Sequence, residues 1–268
     1  MNLAAFASPD RPSPDRLLDF SGRVVCVTGA RKGLGQGLAI RFAQAGADLI
    51  VHVRRAGDEA ETLAQLEPLG GRVAVAVADL EDEPAVSSAL EAAASKLGGL
   101  DVVVNNAGAY PVEPIEDLAG DRFDAVTRAN LGTAFRVTRW CAARWRLESR
   151  AGAIVNVSSV EATRPAFGHA HYASAKAALE MLTRVTAVEL ASGGIRVNAV
   201  APGLIHYPEL VELWPEGVAR YRDRALLGRE GDRMEVADAC LFLASPAASW
   251  VTGTVLTVDG GVSAAPHF

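Results

Sequence analysis

From Arg23 onward, short β-branched runs alternate with helix-length amphipathic segments, and few architectures accommodate that order. Parallel strands joined by crossover helices do so directly. Strands are expected at 24–28, 48–53, 72–78, 101–105, 153–158, 195–200 and 254–258, and helices at 34–46, 58–69, 83–97, 121–147, 170–191 and 234–244. The strands are almost continuously apolar, which indicates a parallel sheet covered by helices on both faces. The expected fold class is therefore α/β, a doubly wound parallel sheet. No repeat or Pro/Gly/Ser linker divides the stretch from 21 to 263, so residues 21–268 read as one domain. Residues 1–20, with Pro9, Pro12 and Pro14, read as a flexible leader. Only the segment at about 204–233 breaks the alternation, mixing two prolines, Trp214, Tyr207 and Tyr221 with charged residues. A flap over a ligand site is expected there.

Charge and cysteine usage narrow the function classes. The 268 residues hold 26 Lys and Arg against 32 Asp and Glu, a net charge of -6, which argues against a nucleic-acid partner with its clustered basic face. No run approaches the roughly 20 apolar residues of a bilayer crossing, so no membrane partner is expected. Cys26, Cys141 and Cys240 lie far apart with no CxxC pair, which suggests a reducing, cytoplasmic setting. The five histidines form no HExxH motif, and no metal is expected; a zinc pair at His169 and His171 is a minor alternative.

Directly after the first expected strand the chain reads Thr28-Gly29-Ala30-Arg31-Lys32-Gly33-Leu34-Gly35, and a helix pattern follows. Glycines let backbone turn tightly and approach a ligand, and a helix start offers unpaired N–H groups to a pyrophosphate. A strand before the turn, a helix after it and another strand about twenty residues on point to a dinucleotide. With this TGxxxGxG spacing the chain resembles the short-chain dehydrogenase/reductase family. Further landmarks of that family stand in order: Asp79, Asn105-Asn106-Ala107-Gly108, Asn130, Ser159, Tyr172 with Lys176, Pro202-Gly203, and Val258-Asp259-Gly260-Gly261. The resemblance spans nearly all of 24–261. It implies a Rossmann-type seven-stranded parallel sheet in the order 3-2-1-4-5-6-7.

Tyr172 and Lys176, four residues apart at a helix start, share one face. An ammonium beside a phenol, with an oxidised nicotinamide nearby, favours the phenolate, so Tyr172 is a plausible general acid in reduction and general base in oxidation. The resemblance places the catalytic serine at Ser159, thirteen residues before Tyr172, where it steadies charge on the substrate oxygen. It assigns Asn130 to kinking its helix and holding a water that links Lys176 to solvent. It also implies a cofactor groove. Gly29, Arg31, Lys32, Gly33, Leu34 and Gly35 lie at the phosphates, Asp79 and Leu80 at the adenine, and Asn106, Ala107 and Gly108 on the ribose side. Tyr172 and Lys176 meet the nicotinamide ribose, with Pro202, Gly203 and Ile205 beside the carboxamide. One departure stands out: Tyr207 occupies the place of the family's usual Thr, which puts a simple carboxamide contact there in doubt.

Val53 stands at the end of the second strand, where an NAD-preferring fold ordinarily carries an acid. Arg54 and Arg55 follow it, and Lys32 precedes the second glycine. These bases can converge on a 2'-phosphate, so NADP(H) is the expected preference and NAD(H) remains possible. The alternative is a solvated turn, neutralised by Asp58 and Glu59. Glu161, His169 and Tyr207 are the expected substrate residues, and Glu161 argues for a polar substrate. The expected activity is hydride transfer between nicotinamide and a small-molecule carbonyl or secondary alcohol. The rival is a non-catalytic dinucleotide sensor on the same fold. Enoyl reduction is disfavoured because the related YxxMxxxK spacing is missing. The resemblance further implies a homo-oligomer, a tetramer or a dimer.

Overall fold

The computed structural model describes residues 12–265. Seven strands form one parallel sheet in the order β3-β2-β1-β4-β5-β6-β7, the order implied by the resemblance. The strands are β1 (Val24–Val27), β2 (Asp48–Val53), β3 (Val73–Val77), β4 (Val102–Asn105), β5 (Gly152–Val157), β6 (Ile195–Pro202) and β7 (Val255–Val258). The helices are α1 (Gly33–Gln44), α2 (Ala60–Leu66), α3 (Glu83–Leu97), α4 (Gly120–Thr127), α5 (Thr133–Leu147), α6 (Ala170–Leu190), α7 (Leu210–Leu213), α8 (Pro215–Arg224) and α9 (Arg233–Ala244).

The apolar runs explain the layers. Successive side chains of a strand point to opposite faces, so β1 feeds two cores at once. Val25 and Val27 join Leu38, Phe42, Val236 and Cys240 beneath α1 and α9. Val24 and Cys26 join Leu90, Val137, Cys141 and Trp145 beneath α3 and α5. All three cysteines are free and buried in these cores. Among the described residues no helix is long and apolar enough to cross a membrane.

Three local expectations change. The leader expected over 1–20 lies outside the described residues as far as position 11. Beyond that, Pro14–Arg16 forms a helical turn and Phe20 is 2% exposed, its ring edge-on to Phe42 at 5.1 Å. Part of the stretch expected as a leader is thus packed, because Phe20 fills a space over α1. The helix expected over 121–147 is interrupted by a π-helical turn, Arg128–Gly132. There the Asn130 amide donates to Val126 O and, across the fold, to Ala109 O, which diverts the side chain into the ladder. The flap expected at 204–233 contains α7 and α8 and is tied down at both ends. Ile205 bridges Gly231, Arg222 holds Glu230 through two bonds of 2.7 and 2.9 Å, and the Tyr221 hydroxyl donates to Asp259 O.

Candidate active site

The carboxyl ends of β1, β4, β5 and β6 lie side by side in the sheet, and the expected site residues follow them. At the end of β1, Gly29 and Gly33 have φ of 66° and 58°, a region that suits glycine. A Cβ on Gly33 would meet nothing within 4 Å, so the turn is open on that side. A Cβ on Gly35 would lie 2.6 Å from Asn106 Nδ2 and closer still to Gly29 O, so α1 can approach β1 only through a glycine. Lys32 caps α1 without a side-chain hydrogen bond, and the first turn contains no acidic residue. Its leading N–H groups and positive dipole end suit a pyrophosphate. The residues present therefore fit a dinucleotide.

The Asn106-Ala107-Gly108 segment buttresses this turn. Asn106 N–H and Ala107 N–H both donate to Thr28 Oγ1, and the Asn106 amide donates to Thr28 O at 2.9 Å. A second brace comes from His52, which sequence reasoning assigned no role. Its buried imidazole accepts from Gly29 N–H at 3.2 Å through Nδ1 and bonds Ala78 O at 3.0 Å through Nε2. Those partners define the neutral Nε2–H tautomer. Burial pushes the His52 pKa below its usual value. The sign follows from linkage. The brace is fully present above the unfolded value near 6.5 and is lost as pH falls toward the lower folded value. His52→Leu is therefore expected to destabilise the protein by about 2 kcal/mol at pH 7.5, and the gap from wild type should narrow at pH 5. Urea unfolding at both pH values checks this; an equal gap at both would remove His52's neutral state from the account.

At the end of β2, Val53 is buried, whereas Arg54 and Arg55 are exposed. The expected convergence of bases is only partial. Arg54 pairs with Asp79 at 2.7 Å, Arg31 pairs with Asp58 at 3.4 Å, and Lys32 is exposed. Asp79 also accepts from Glu81 N–H, and that bond, ahead of the Arg54 guanidinium, holds its carboxyl below the usual range. The Leu80 side chain is buried in the core, so only its backbone can meet an adenine.

Ser159, Tyr172 and Lys176 come together as expected. Ser159 stands close enough to the Tyr172 phenol for its side chain to favour the phenolate, and Lys176 Nζ lies 5.5 Å from the centroid of the Tyr172 ring. Lys176 is 4% exposed and donates to Val157 O at 2.7 Å. Burial pushes its pKa down to about 8. Burial dominates the surroundings of the Tyr172 phenol and pushes it up to about 12. Asn130 lies behind the pair. Its Oδ1 is buried without a partner among the described residues, and a Cβ on Gly108 would sit 2.5 Å from it and 3.8 Å from Lys176 Nζ. Gly108 is thus the residue type that lets β4's loop pass over both groups.

After β6, Pro202 ends the strand, and a Cβ on Gly203 would collide with the Tyr221 hydroxyl. Leu204 O and His206 N–H both bond Gly231, which turns Ile205's own N–H and C=O the other way. Tyr207 is half-buried at the base of the flap. Glu161 and His169, expected as separate substrate residues, are bonded to each other: Nδ1 to Oε2 is 2.7 Å. His171 is fully buried, and its Nδ1 accepts from Tyr172 N–H. Sequence reasoning also missed Tyr110, exposed two residues after Gly108, whose ring is 6.3 Å from that of Tyr172. Its place directly behind the Asn-Asn-Ala-Gly turn was the available signal.

A glycine turn, a buttressing asparagine loop and a Ser-Tyr-Lys cluster on one sheet edge match known proteins over most of the chain. The family model described as enoyl-(acyl carrier protein) reductase, a model of short-chain dehydrogenases/reductases, matches residues 29–263. The chain belongs to the short-chain dehydrogenase/reductase family. It is 37% identical over 253 residues to 3beta-hydroxysteroid dehydrogenase 1 of Eggerthella lenta, covering 93% of this chain and 97% of that one. It is 38% identical over 247 residues to a 3-oxoacyl-[acyl-carrier-protein] reductase of Thermotoga maritima, covering 91% and 98%. The structure of a 7 alpha-hydroxysteroid dehydrogenase complexed with NADH and 7-oxo glycochenodeoxycholic acid superposes with a TM-score of 0.87 at 33% identity, covering 93% and 98%. This short-chain dehydrogenase/reductase is accordingly a dinucleotide-dependent oxidoreductase of the class that acts on CH–OH and C=O groups.

Proposed function

We propose that the protein is an NADP(H)-preferring enzyme that interconverts a carbonyl and a secondary alcohol, with Tyr172 as proton donor in reduction and acceptor in oxidation. The observation that carries this reading is the gathering of Ser159, Tyr172 and the buried Lys176 on the same sheet edge as the glycine turn, with Lys176 Nζ 5.5 Å from the Tyr172 ring. Gly29, Arg31, Lys32, Gly33, Leu34 and Gly35 hold the phosphates, Asp79 and Leu80 the adenine end, and Asn106, Ala107 and Gly108 the ribose side. Lys176 holds the nicotinamide ribose, and Pro202, Gly203 and Ile205 the carboxamide. The nicotinamide supplies or accepts the hydride.

The chain's own residues do the rest. Ser159 and Tyr172 donate hydrogen bonds to the substrate oxygen, where negative charge develops. A phenol pushed up to about 12 is fully protonated near neutrality, the state a proton donor needs. In oxidation the phenolate is favoured by the Lys176 ammonium and the charged nicotinamide. Asn130, through its unpaired Oδ1, holds the proton route from Lys176 outward. Relatives in the family are named for hydroxysteroid and 3-oxoacyl substrates, which supports a carbonyl or secondary-alcohol substrate here.

The NADP(H) preference rests on Val53 standing where a repelling carboxylate would be, with Lys32, Arg54 and Arg55 exposed around it. Arg54 must share its guanidinium between Asp79 and the 2'-phosphate, and its fork has donors for both. Wild-type kcat/KM is expected to favour NADPH over NADH by about tenfold or more. Lys32→Ala and Arg54→Ala should lower the NADPH value selectively; a wild-type preference for NADH would contradict the assignment.

Two further readings accompany this one. Three free, buried cysteines suit a cytoplasmic enzyme. A homotetramer, or at least a dimer, is supported by Met181, Val185 and Val188, exposed at i, i+4 and i+7 on α6, and by Trp250 at 92% exposure before the edge strand β7. Light scattering at micromolar concentration should give a multiple of the 28.1 kDa chain; the monomer mass would contradict it.

A further inference from the structure

Glu161 and His169 lie on the segment between β5 and α6, eight residues apart, and meet directly beside the reacting groups. Glu161 N–H donates to Ser159 Oγ at 3.1 Å, so the short helical turn that carries Glu161 is anchored on the substrate-binding hydroxyl. The His169 ring stands edge-on to the Tyr172 ring with centroids 5.7 Å apart. With His169 neutral, the Glu161 carboxylate accepts Nδ1–H and leaves Nε2 as an acceptor. That Nε2 is buried and has no hydrogen-bond partner among the described residues. The proton transfer assigned above uses neither residue.

We infer that the Glu161–His169 pair is a receptor for a second hydroxyl on the substrate, and that the enzyme selects α-hydroxy ketones and vicinal diols over simple ketones and alcohols. This rests on the carbonyl/alcohol reading of the same site. The substrate oxygen must lie against Ser159 Oγ and Tyr172 Oη, so a hydroxyl on the adjacent carbon comes within reach of the imidazole that stands against the Tyr172 ring. That hydroxyl donates to His169 Nε2. A simple ketone leaves the buried acceptor unpaired, and sites built to bind a hydroxyl reject analogues that lack it. A carboxylate is a poor occupant, because the Glu161 carboxylate bonded to the ring repels it. Glu161 is the positioning residue, setting tautomer and ring orientation, and His169 makes the contact.

The test measures binding and turnover with two matched pairs: 2-hydroxycyclohexanone against cyclohexanone, and acetoin against 2-butanone. Binding is read by calorimetry in dead-end complexes with NADP+ bound, in wild type and in Tyr172→Phe, so that it does not depend on turnover. The hydroxylated member is expected to bind about tenfold more tightly in both proteins. The ratio should fall to about threefold or less in His169→Phe, which keeps an aromatic ring beside Tyr172, and in Glu161→Leu, with NADPH affinity unchanged. His169→Gln, which restores an acceptor, should recover part of it. Equal binding of the matched compounds by wild type, or an undiminished ratio in His169→Phe, would overturn the inference even if the enzyme reduces ketones. Undiminished turnover by Tyr172→Phe would instead overturn the proton-donor assignment.

Discussion

Tyr172→Phe is expected to lower kcat for ketone reduction by about a thousandfold while leaving the NADPH dissociation constant within about threefold of wild type. The substitution removes one oxygen and keeps the ring that stands against Tyr110, His169 and Lys176. In the proposed mechanism, what is lost is the proton itself and one of two hydrogen bonds to the substrate oxygen, Ser159 supplying the other. Cofactor affinity is spared in the proposed binding mode, which gives the phosphates to Gly29 to Gly35 and the ribose to Lys176. Fluorescence titration with NADPH and single-turnover kinetics separate the two quantities. Wild-type kcat under conditions where chemistry limits the rate would show that the proton comes from elsewhere.

Lys176→Ala is expected to damage both quantities: kcat by about a hundredfold or more and NADPH affinity by about tenfold. Its ammonium is buried, donates to Val157 O, and lies close enough to Tyr172 to support a phenolate. The pH dependence carries a definite sign. Burial lowers the Lys176 pKa to about 8, so kcat/KM in the free enzyme should fall as pH rises through about 8 and the ammonium is lost. Lys176→Ala should lack that limb. A variant that loses kcat but binds NADPH as wild type does would remove the ribose contact from the account.

The sheet was legible because its signal is local. A run such as Val24-Val25-Cys26-Val27 can be satisfied only by burial on both faces, and the glycine turn after it names its own ligand class. The interrupted helix at 128–132 was harder. The apolar period runs through it, and the bond that diverts Asn130 goes to Ala109, twenty-one residues away. Phe20 was hidden by the prolines before it, since its partner Phe42 lies on α1.

The site shows the same division. The spacing of Tyr172 and Lys176 predicts their proximity, but the depth that pushes the phenol up and the amine down is a property of the whole fold. Arg54 reads as a free base in sequence. The β2–β3 register, Val53 opposite Val77, brings it beside Asp79, and the two pair. Glu161 and His169 likewise read as two separate polar residues until the loop folds and bonds one to the other.

The central claim is that hydride passes directly between nicotinamide and a carbonyl carbon while Tyr172 handles the proton. NADPH carrying deuterium at C4, prepared as each of its two stereoisomers, tests it most directly, with the alcohol product examined by mass spectrometry and NMR. One isomer is expected to deliver one deuterium per turnover to the carbinol carbon, the other none, and the hydroxyl hydrogen should come from water. Deuterium at a carbon next to an intact carbonyl, as in reduction of a C=C bond, or a carbinol hydrogen taken from solvent, would contradict the account.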